Sequence, residues 1–234
     1  MPNFCRREIL LIETKGKLLV IDGLDGCGKS TQQDLLVKYL EKKGRNVCGI
    51  SFPCYDEPSS GAIRMYLRGD FGKKPGDVNP YAASSFYAVD RYASFKTHWG
   101  RKYLSGALVV SARYVSSNIF HQMVKLPRSS WDGFINWAED FEFCKLGLPR
   151  PDGLVFLDVE TQSAARLLSG RYEGDESKKD IHERDLDYLE KCREAALYAC
   201  GKLGYKIIKV SRGGNLKNAR DIQEEIRIAF AELI

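Results

Sequence analysis

The chain lacks the hallmarks of several broad classes of protein. No apolar run reaches the roughly 18 residues of a bilayer-spanning helix, so the sequence predicts no membrane span. The seven cysteines show no paired spacing, which argues against a disulfide framework and predicts a cytoplasmic protein with reduced thiols. No repeat, no low-complexity linker and no basic run with interleaved aromatic residues occurs. Nucleic acid and membranes are therefore not the expected partners.

The residues that are present fit one domain of substantial size. The chain has 234 residues, of which 44% are hydrophobic and 29% charged, and two separate cores are not expected at this length. We therefore predict a single domain over residues 1–234, with residues 1–16 as an N-terminal extension that is too charged for a signal peptide. The formal net charge of +5 is spread along the chain, as suits a phosphate-rich small ligand.

Short apolar runs alternate with helical patterns along the chain. This alternation predicts an α/β fold with three layers, in which helices cover both faces of a parallel sheet of about five strands. Ligands of such sheets lie beyond the carboxyl ends of the strands, so the residues after each run are the functional candidates. The predicted strands are 18–21, 47–52, 107–111, 153–159 and 205–210, and the predicted helices cover about 79–104, 116–124, 131–144, 186–196 and 216–234.

A glycine-rich motif follows the first predicted strand. Residues 23–31 read G-L-D-G-C-G-K-S-T, which matches G-x-x-x-x-G-K-[ST]. The glycines let successive backbone N–H groups face an anion, Lys29 supplies a charge for the outer phosphates, and Ser30 offers a hydroxyl to Mg²⁺. An apolar run before the motif and a helical pattern after it predict a phosphate loop at a helix N-terminus, and hence a nucleoside triphosphate site.

Chemistry-bearing residues also follow the later strands. Tyr87 and Arg91 share a predicted helix, where a ring beside a guanidinium can stack on and bind a base, although aromatic stripes on helices are more often core. Arg113 follows the third strand and predicts a bidentate phosphoryl clamp. The polar segment at about 170–182, which contains Arg171, is interpreted either as a solvated loop or as a mobile lid that closes over a triphosphate.

In their order and spacing these motifs make the chain similar to the thymidylate kinases, a family of P-loop nucleoside monophosphate kinases, from about residue 17 to the C-terminus. Segments 79–84 and 180–183 resemble a bacterial branch of that family. The resemblance implies transfer of the γ-phosphate of ATP to dTMP, giving dTDP and ADP, with Mg²⁺ and usually in a homodimer. The motif and the resemblance together assign Gly23, Asp25, Gly26, Cys27, Gly28, Lys29, Ser30 and Thr31 to ATP, with Ser30 at the metal, and Asp25, Phe52, Pro53, Tyr87, Arg91, Arg113, Ser117, Asn118 and His121 to dTMP.

The same resemblance implies how catalysis is divided among the cations. Phosphoryl transfer needs little covalent help, so positioning and charge neutralisation dominate, and no general base is assigned. Lys29 and Arg113 are expected to neutralise charge on the phosphates. Some family members carry a catalytic arginine inside the phosphate loop, at the place of Gly26 here, so Arg166 or Arg171 of the lid is expected to supply it.

Two positions depart from the family pattern. Cys54 stands where many members have an arginine that binds the monophosphate, and Arg64 or Arg68 on the next helix could replace it. Ala112 precedes the arginine-tyrosine pair, where the family normally has an aspartate near the Mg²⁺ shell. Three interpretations follow: a natural variant whose metal is held by Ser30, ATP oxygens and water, a deliberately inactivated or altered protein, or a degenerate kinase that binds nucleotides without turnover. We favour a working or slowed enzyme, because the other phosphate-handling positions are filled.

Other functions remain open on the sequence alone. A kinase for a different nucleotide or for a deoxynucleoside is one, since Asp56 and Glu57 follow the second strand and a nucleoside kinase needs a carboxylate base near the 5′-hydroxyl. A nucleotide-binding protein with little turnover is another, and Ala112 is its motivation. A P-loop GTPase is disfavoured, because no Asn-Lys-x-Asp guanine motif occurs.

Overall fold

Five parallel strands form the central sheet in a computed structural model that describes residues 15–161, 163, 164, 167, 181–183, 185–212 and 215–234. The strands are β1 (Lys17–Gly23), β2 (Val47–Ser51), β3 (Leu108–Ala112), β4 (Gly153–Asp158) and β5 (Lys206–Lys209). They lie in the order β2-β3-β1-β4-β5. Every neighbouring pair is parallel, so the carboxyl ends of all the strands meet at one edge of the sheet. The predicted α/β fold with a five-stranded parallel sheet is confirmed.

Helices cover both faces of this sheet. Two of the predicted helices contain a π-helical turn, at Phe95–Trp99 and at Asp140–Lys145. The first turn joins two α-helical segments, whereas the second is the end of its helix. The helices of the described residues are α1 (Lys29–Lys42), α2 (Gly61–Arg68), α3 (Pro80–Ser94), α4 (Gly100–Leu104), α5 (Val115–Gln122), α6 (Trp131–Glu139), α7 (Leu186–Leu203) and α8 (Ala219–Ala229).

The predicted start of the last helix at residue 216 is wrong. Leu216 pairs with Ser211 in a small antiparallel hairpin, formed by β6 (Ser211–Arg212) and β7 (Asn215–Leu216). Helix α8 begins only after Asn218, whose side-chain oxygen accepts hydrogen bonds from the amides of Arg220 and Asp221. An asparagine in this role favours a helix start over continuation of a helix through it.

The burial of β1 on both faces explains the apolar run 18–21 at the centre of the strand. Successive side chains of a strand point to opposite faces of the sheet. Leu19 and Ile21 pack with side chains of α1 and α8, whereas Leu18 and Val20 pack on the other face in a cluster that contains Trp99. Because helices cover both faces, neither face of the strand needs polar residues.

Several sequence predictions fall where the structure gives no description. Arg166, Arg171 and most of the predicted lid lie outside the described residues, as do residues 1–14 of the predicted extension. Among the helices that the structure does describe, none is long and apolar enough to cross a bilayer.

Candidate active site

The phosphate-loop helix α1 begins without a side-chain cap. Gly28 precedes it in the left-handed conformation, with φ of 90°, and the first turn carries no acidic residue. By contrast, the side chains of Asn79, Asp185 and Asn218 cap α3, α7 and α8. The free N–H groups of α1 and its positive dipole end are therefore open to an anion, which is the electrostatic requirement of a phosphate site.

Lys29 curls back over the loop that it follows. Its Nζ donates hydrogen bonds to the carbonyl oxygens of Gly23, at 2.9 Å, and of Leu24, at 2.7 Å. Gly23 does not line the cavity described below, and a Cβ at this position would lie 2.5 Å from the Cys27 sulfur. The role of Gly23 in this structure is thus to shape the loop and hold Lys29, while the lysine itself lines the cavity.

Asp25 and Arg113 form an ion pair that joins the phosphate loop to the end of β3. Arg113 has a left-handed backbone, with φ of 66°, which carries its guanidinium across the strand ends to this carboxylate. Burial works against ionisation of Asp25, yet Arg113 and Lys29 hold the pKa of its carboxyl well below the usual range. Two cations thus surround one carboxylate, and the surplus positive charge suits bound phosphate.

One cavity of about 1480 Å³ contains nearly all of the predicted site residues that the structure describes. It extends from the phosphate loop to α3 and α5 and is also lined by apolar residues that the sequence interpretation missed, near the hairpin and α8. The predicted residues that line it are Asp25, Gly26, Cys27, Gly28, Lys29, Ser30, Thr31, Phe52, Pro53, Tyr87, Arg91, Arg113, Ser117, Asn118 and His121. The missed residues near the hairpin are Val210, Leu216, Ala219 and Ile222.

Two histidines stack at the wall of the cavity. The rings of His121 and His182 are parallel within 10°, with centroids 5.7 Å apart. Burial is the main cause that lowers the pKa of His121 to about 4, and the positive charge of the nearby Arg113 lowers it further. The imidazole is therefore neutral at pH 7. His182 Nε2 lies 2.8 Å from the hydroxyl of Tyr66, which accepts a hydrogen bond from Lys125. The sequence motifs did not reveal the contacts with Tyr66 and Lys125, because these pairs are far apart in the chain.

Arg91 lines the cavity, and its guanidinium also forms hydrogen bonds within the protein. Its Nε and Nη2 each donate a 2.5 Å hydrogen bond to Glu142, and both side chains are at least 98% buried. Asn118 also donates to Glu142, at 3.1 Å. Sequence reasoning identified Arg91 and Asn118 but not Glu142, because Glu142 follows Glu139 and Asp140 and no local pattern distinguishes it from them.

Comparison with known proteins identifies the family of the chain. The family model described as thymidylate kinase matches residues 21–222. The chain belongs to the thymidylate kinase family. It is 32% identical over 186 residues to thymidylate kinase of Mycobacterium tuberculosis, which covers 78% of this chain and 84% of the relative. It is also 30% identical over 216 residues to a probable thymidylate kinase of Pyrobaculum aerophilum, which covers 92% of this chain and 95% of that one.

Membership of the family identifies the chain as a nucleoside monophosphate kinase. The fold agrees with that of a solved thymidylate kinase from Candida albicans, with a TM-score of 0.67 over 93% of this chain and 92% of the other. Sequence identity to that structure is 19%, so this likeness concerns the fold alone.

The two departures from the thymidylate kinase pattern have defined surroundings. Near Cys54, the Nη1 of Arg64 donates to the carbonyl oxygens of Tyr55, at 2.6 Å, and Glu57, at 3.2 Å. Arg64 therefore supports the loop after β2 and also lines the cavity. Arg68 lies one turn later, also lines the cavity and pairs with exposed Asp70.

Ala112, the second departure, is the last residue of β3 and is 2% exposed. Its register partner on β1 is Ile21, next to the buried Asp22. The carboxylate of Asp22 is occupied by hydrogen bonds from the hydroxyls of Ser116 and Ser117. This network was not apparent from the sequence, since Asp22 directly follows the apolar run 18–21 and its serine partners lie more than 90 positions away in the chain.

The residues around the loop fit Mg²⁺ bound mainly through nucleotide phosphates. Ser30 is exposed in the cavity, where its hydroxyl is available as a ligand. Across the described part of the chain, no cluster of three or more histidine, cysteine or acidic side chains is arranged to hold a metal by itself. Mg²⁺ commonly keeps several waters and binds through few protein ligands plus substrate phosphates, so one hydroxyl is an adequate protein contribution.

Proposed function

We propose that this chain transfers the γ-phosphate of ATP to dTMP and releases dTDP and ADP. One observation carries the proposal: the uncapped phosphate loop and the Arg113–Asp25 pair share a cavity with Arg91 and Asn118. A triphosphate at the loop and a monophosphate nucleotide between α3 and α5 would place donor and acceptor in one enclosed space. Family membership supports the assignment of dTMP and ATP as the substrates.

In this proposal the residues act through charge and position. Lys29 and the amides of α1 bind the β- and γ-phosphates, and Arg113 binds the phosphate of dTMP. Mg²⁺, held by Ser30 and the phosphate oxygens, would neutralise part of the charge on the transferring group. Arg166 or Arg171 supplies the further cation that the loop lacks at Gly26. The acceptor is a phosphate oxygen that is already ionised, so no general base takes part.

The remaining roles and the setting of the enzyme belong to the same proposal. Tyr87 stacks on the thymine base, and Asp25, Phe52, Pro53, Ser117 and His121 line the dTMP site. We expect one kinase domain over residues 1–234, with a lid at about 170–182, that acts in the cytoplasm as a homodimer. Light scattering after gel filtration would give the oligomeric state directly.

A coupled ADP-release assay with dTMP, dUMP, dCMP and thymidine tests the function. We expect Mg-dependent ADP formation with dTMP and little with thymidine, since Arg113 has no phosphate to bind in a nucleoside. Lys29→Met should lower kcat by at least about 100-fold, because it removes a cation from the transition state. Fast turnover of thymidine would favour a nucleoside kinase instead. Tight binding of ATP and dTMP without ADP formation would favour the binding protein that Ala112 leaves open.

A further inference from the structure

Glu142 is a buried carboxylate that the proposed phosphate chemistry does not use. It lies in the π-helical turn Asp140–Lys145 and is 1% exposed. A π-helical turn is a rare insertion that often occurs at functional sites. Burying a carboxylate is costly unless charged and hydrogen-bonding partners compensate it, so the partners of Glu142 indicate what it does.

Glu142 binds two side chains that line the cavity. Its Oε2 accepts from Arg91 Nε and its Oε1 from Arg91 Nη2, both at 2.5 Å. Oε1 also accepts from Asn118 Nδ2, at 3.1 Å. A single carboxylate that does not itself line the cavity therefore holds both Arg91 and Asn118 of the cavity wall in place.

These contacts determine which way the amide of Asn118 faces. Its Nδ2 lies 3.1 Å from Glu142 Oε1 and 3.2 Å from the carbonyl oxygen of Ser84. Both neighbours only accept hydrogen bonds, so the amide nitrogen has to face them, and the flipped amide would place oxygen against oxygen. The two amide hydrogens are then used, and Oδ1 is left as an acceptor for a ligand in the cavity.

Glu142 likewise limits the donors that Arg91 offers. Nε and one hydrogen of Nη2 bind the carboxylate, and Nη1 donates to the carbonyl oxygen of Tyr114 at 3.5 Å. The donors left for a ligand are therefore the second hydrogen of Nη1 and the second hydrogen of Nη2. A ligand at this wall consequently meets an acceptor from Asn118 beside a donor from Arg91. Thymine and uracil match this pair, with N3–H as donor and O4 as acceptor. Cytosine has the reverse pattern, with N3 as acceptor and N4–H₂ as donor.

We propose that Glu142 is a positioning residue that makes this kinase select an imide pyrimidine over cytosine. It does so by fixing the amide of Asn118 and the guanidinium of Arg91, without touching the nucleotide. The inference rests on the proposed function in one respect, namely that the acceptor nucleotide occupies this end of the cavity. It goes beyond that function by naming the group that sets which base is accepted.

Glu142→Gln is the direct test, because the side chain keeps its size but gains a donor. A glutamine keeps only one acceptor oxygen, so it cannot accept from Arg91 Nε, Arg91 Nη2 and Asn118 Nδ2 together, and the two side chains are no longer held jointly. We expect the ratio of dTMP to dCMP affinity, measured by titration calorimetry, to fall by at least about tenfold. The affinity for ATP should change by less than about twofold, since the phosphate loop is not altered. A residue that only supports the core would lower Tm and leave this ratio unchanged.

Glu139→Gln is a matched control on the same helix. Glu139 pairs with Arg150 at 3.0 Å, and neither residue lines the cavity. Its removal should leave the dTMP to dCMP ratio at the wild-type value. If circular dichroism shows that Glu142→Gln does not fold, Glu142→Asp replaces it, since the shorter carboxylate cannot hold Arg91 and Asn118 together. A smaller fall in the ratio is then expected.

An unchanged ratio in a folded Glu142 variant overturns the proposal, and so does a wild-type protein that binds dTMP and dCMP equally. The binding measurement is separate from turnover. A wild-type protein that prefers dTMP in binding, loses that preference in Glu142→Gln and yet forms no ADP would overturn the proposed function while supporting the role of Glu142.

Discussion

Arg113 combines an unusual backbone with a central charge. A left-handed conformation in a residue other than glycine costs on the order of 1 kcal/mol, and the surrounding structure has to hold it there. Here the amide of Arg113 donates to the carbonyl oxygen of Ile21, and its guanidinium pairs with Asp25. Both contacts cross from β3 to β1 and its loop, so the position of the Arg113 guanidinium depends on the sheet register as well as on the side chain.

Ala112 gives a test at the level of one residue. We expect Ala112→Asp to raise kcat at limiting Mg²⁺ by several-fold, because a carboxylate at the end of β3 would help to place the metal. The same change should lower Tm, since the position is 2% exposed and buried carboxylates are costly. Steady-state rates over a Mg²⁺ titration measure the first effect and thermal unfolding the second.

Ala112→Asn is the control, as it has nearly the same shape as aspartate without the charge. It should not raise the rate at low Mg²⁺. A rate that is unchanged or lower in Ala112→Asp would remove the argument that this position places the metal.

Helix α2 follows the loop that contains Cys54, and it carries two arginines. Arg64 lies in the first turn of α2 and binds backbone oxygens of the loop, whereas Arg68 lies in the last turn and pairs with Asp70 in solvent. Both arginines were candidates to replace the missing arginine of the family. Their contacts make Arg64 the better one, because it is close to the loop that carries Phe52 and Pro53.

We therefore expect Arg64→Ala to raise KM for dTMP by about tenfold, the usual effect of losing hydrogen bonds from a charged group. Arg68→Ala serves as its control and should change that KM by less than about twofold. Initial rates at saturating ATP give both values. If neither variant changes the affinity for dTMP, neither arginine compensates for Cys54.

At the scale of the whole molecule, the layers of the fold enclose buried histidines that are neutral. Burial lowers the pKa of His121 to about 4 and holds the pKa of His182 well below its usual value. In the unfolded chain a histidine titrates near 6.5. Between about pH 6.5 and 4 the unfolded chain therefore binds protons that the native state does not, and the free energy of unfolding falls as the pH falls.

We expect His121 to lower the free energy of unfolding by up to about 3 kcal/mol between pH 7 and pH 4. Urea unfolding at pH 7 and pH 4.5 should show a smaller difference for His121→Phe than for the wild-type protein. His98→Phe is the control, because His98 is exposed beside Glu57, and it should keep the wild-type difference. A wild-type stability that does not fall between these pH values would contradict the buried, neutral assignment.

The sequence by itself determined the features that depend on neighbouring residues. Apolar runs marked the strands, because a strand covered on both faces needs no polar residue, and the glycine pattern marked the phosphate loop. The order and spacing of the phosphate loop, Phe52-Pro53, Tyr87 to Arg91, Arg113-Tyr114 and the lid arginines together indicated the family. Local patterns did not locate the start of α8 correctly, since the helical spacing continues through the hairpin until Asn218 caps the helix.

Tertiary structure alone decided which distant groups meet. Arg113 reaches Asp25 across 88 positions of the chain, Glu142 reaches Arg91 across 51, and Tyr66 reaches His182 across 116. Such pairs leave no periodic pattern, because each partner is one polar residue in an otherwise ordinary element. They form only when the parallel strands bring their carboxyl ends to one edge and the helices close the cavity above it. The phosphate loop could thus be read from the chain, whereas the contacts that hold Arg91 and Asn118 in the cavity wall could not.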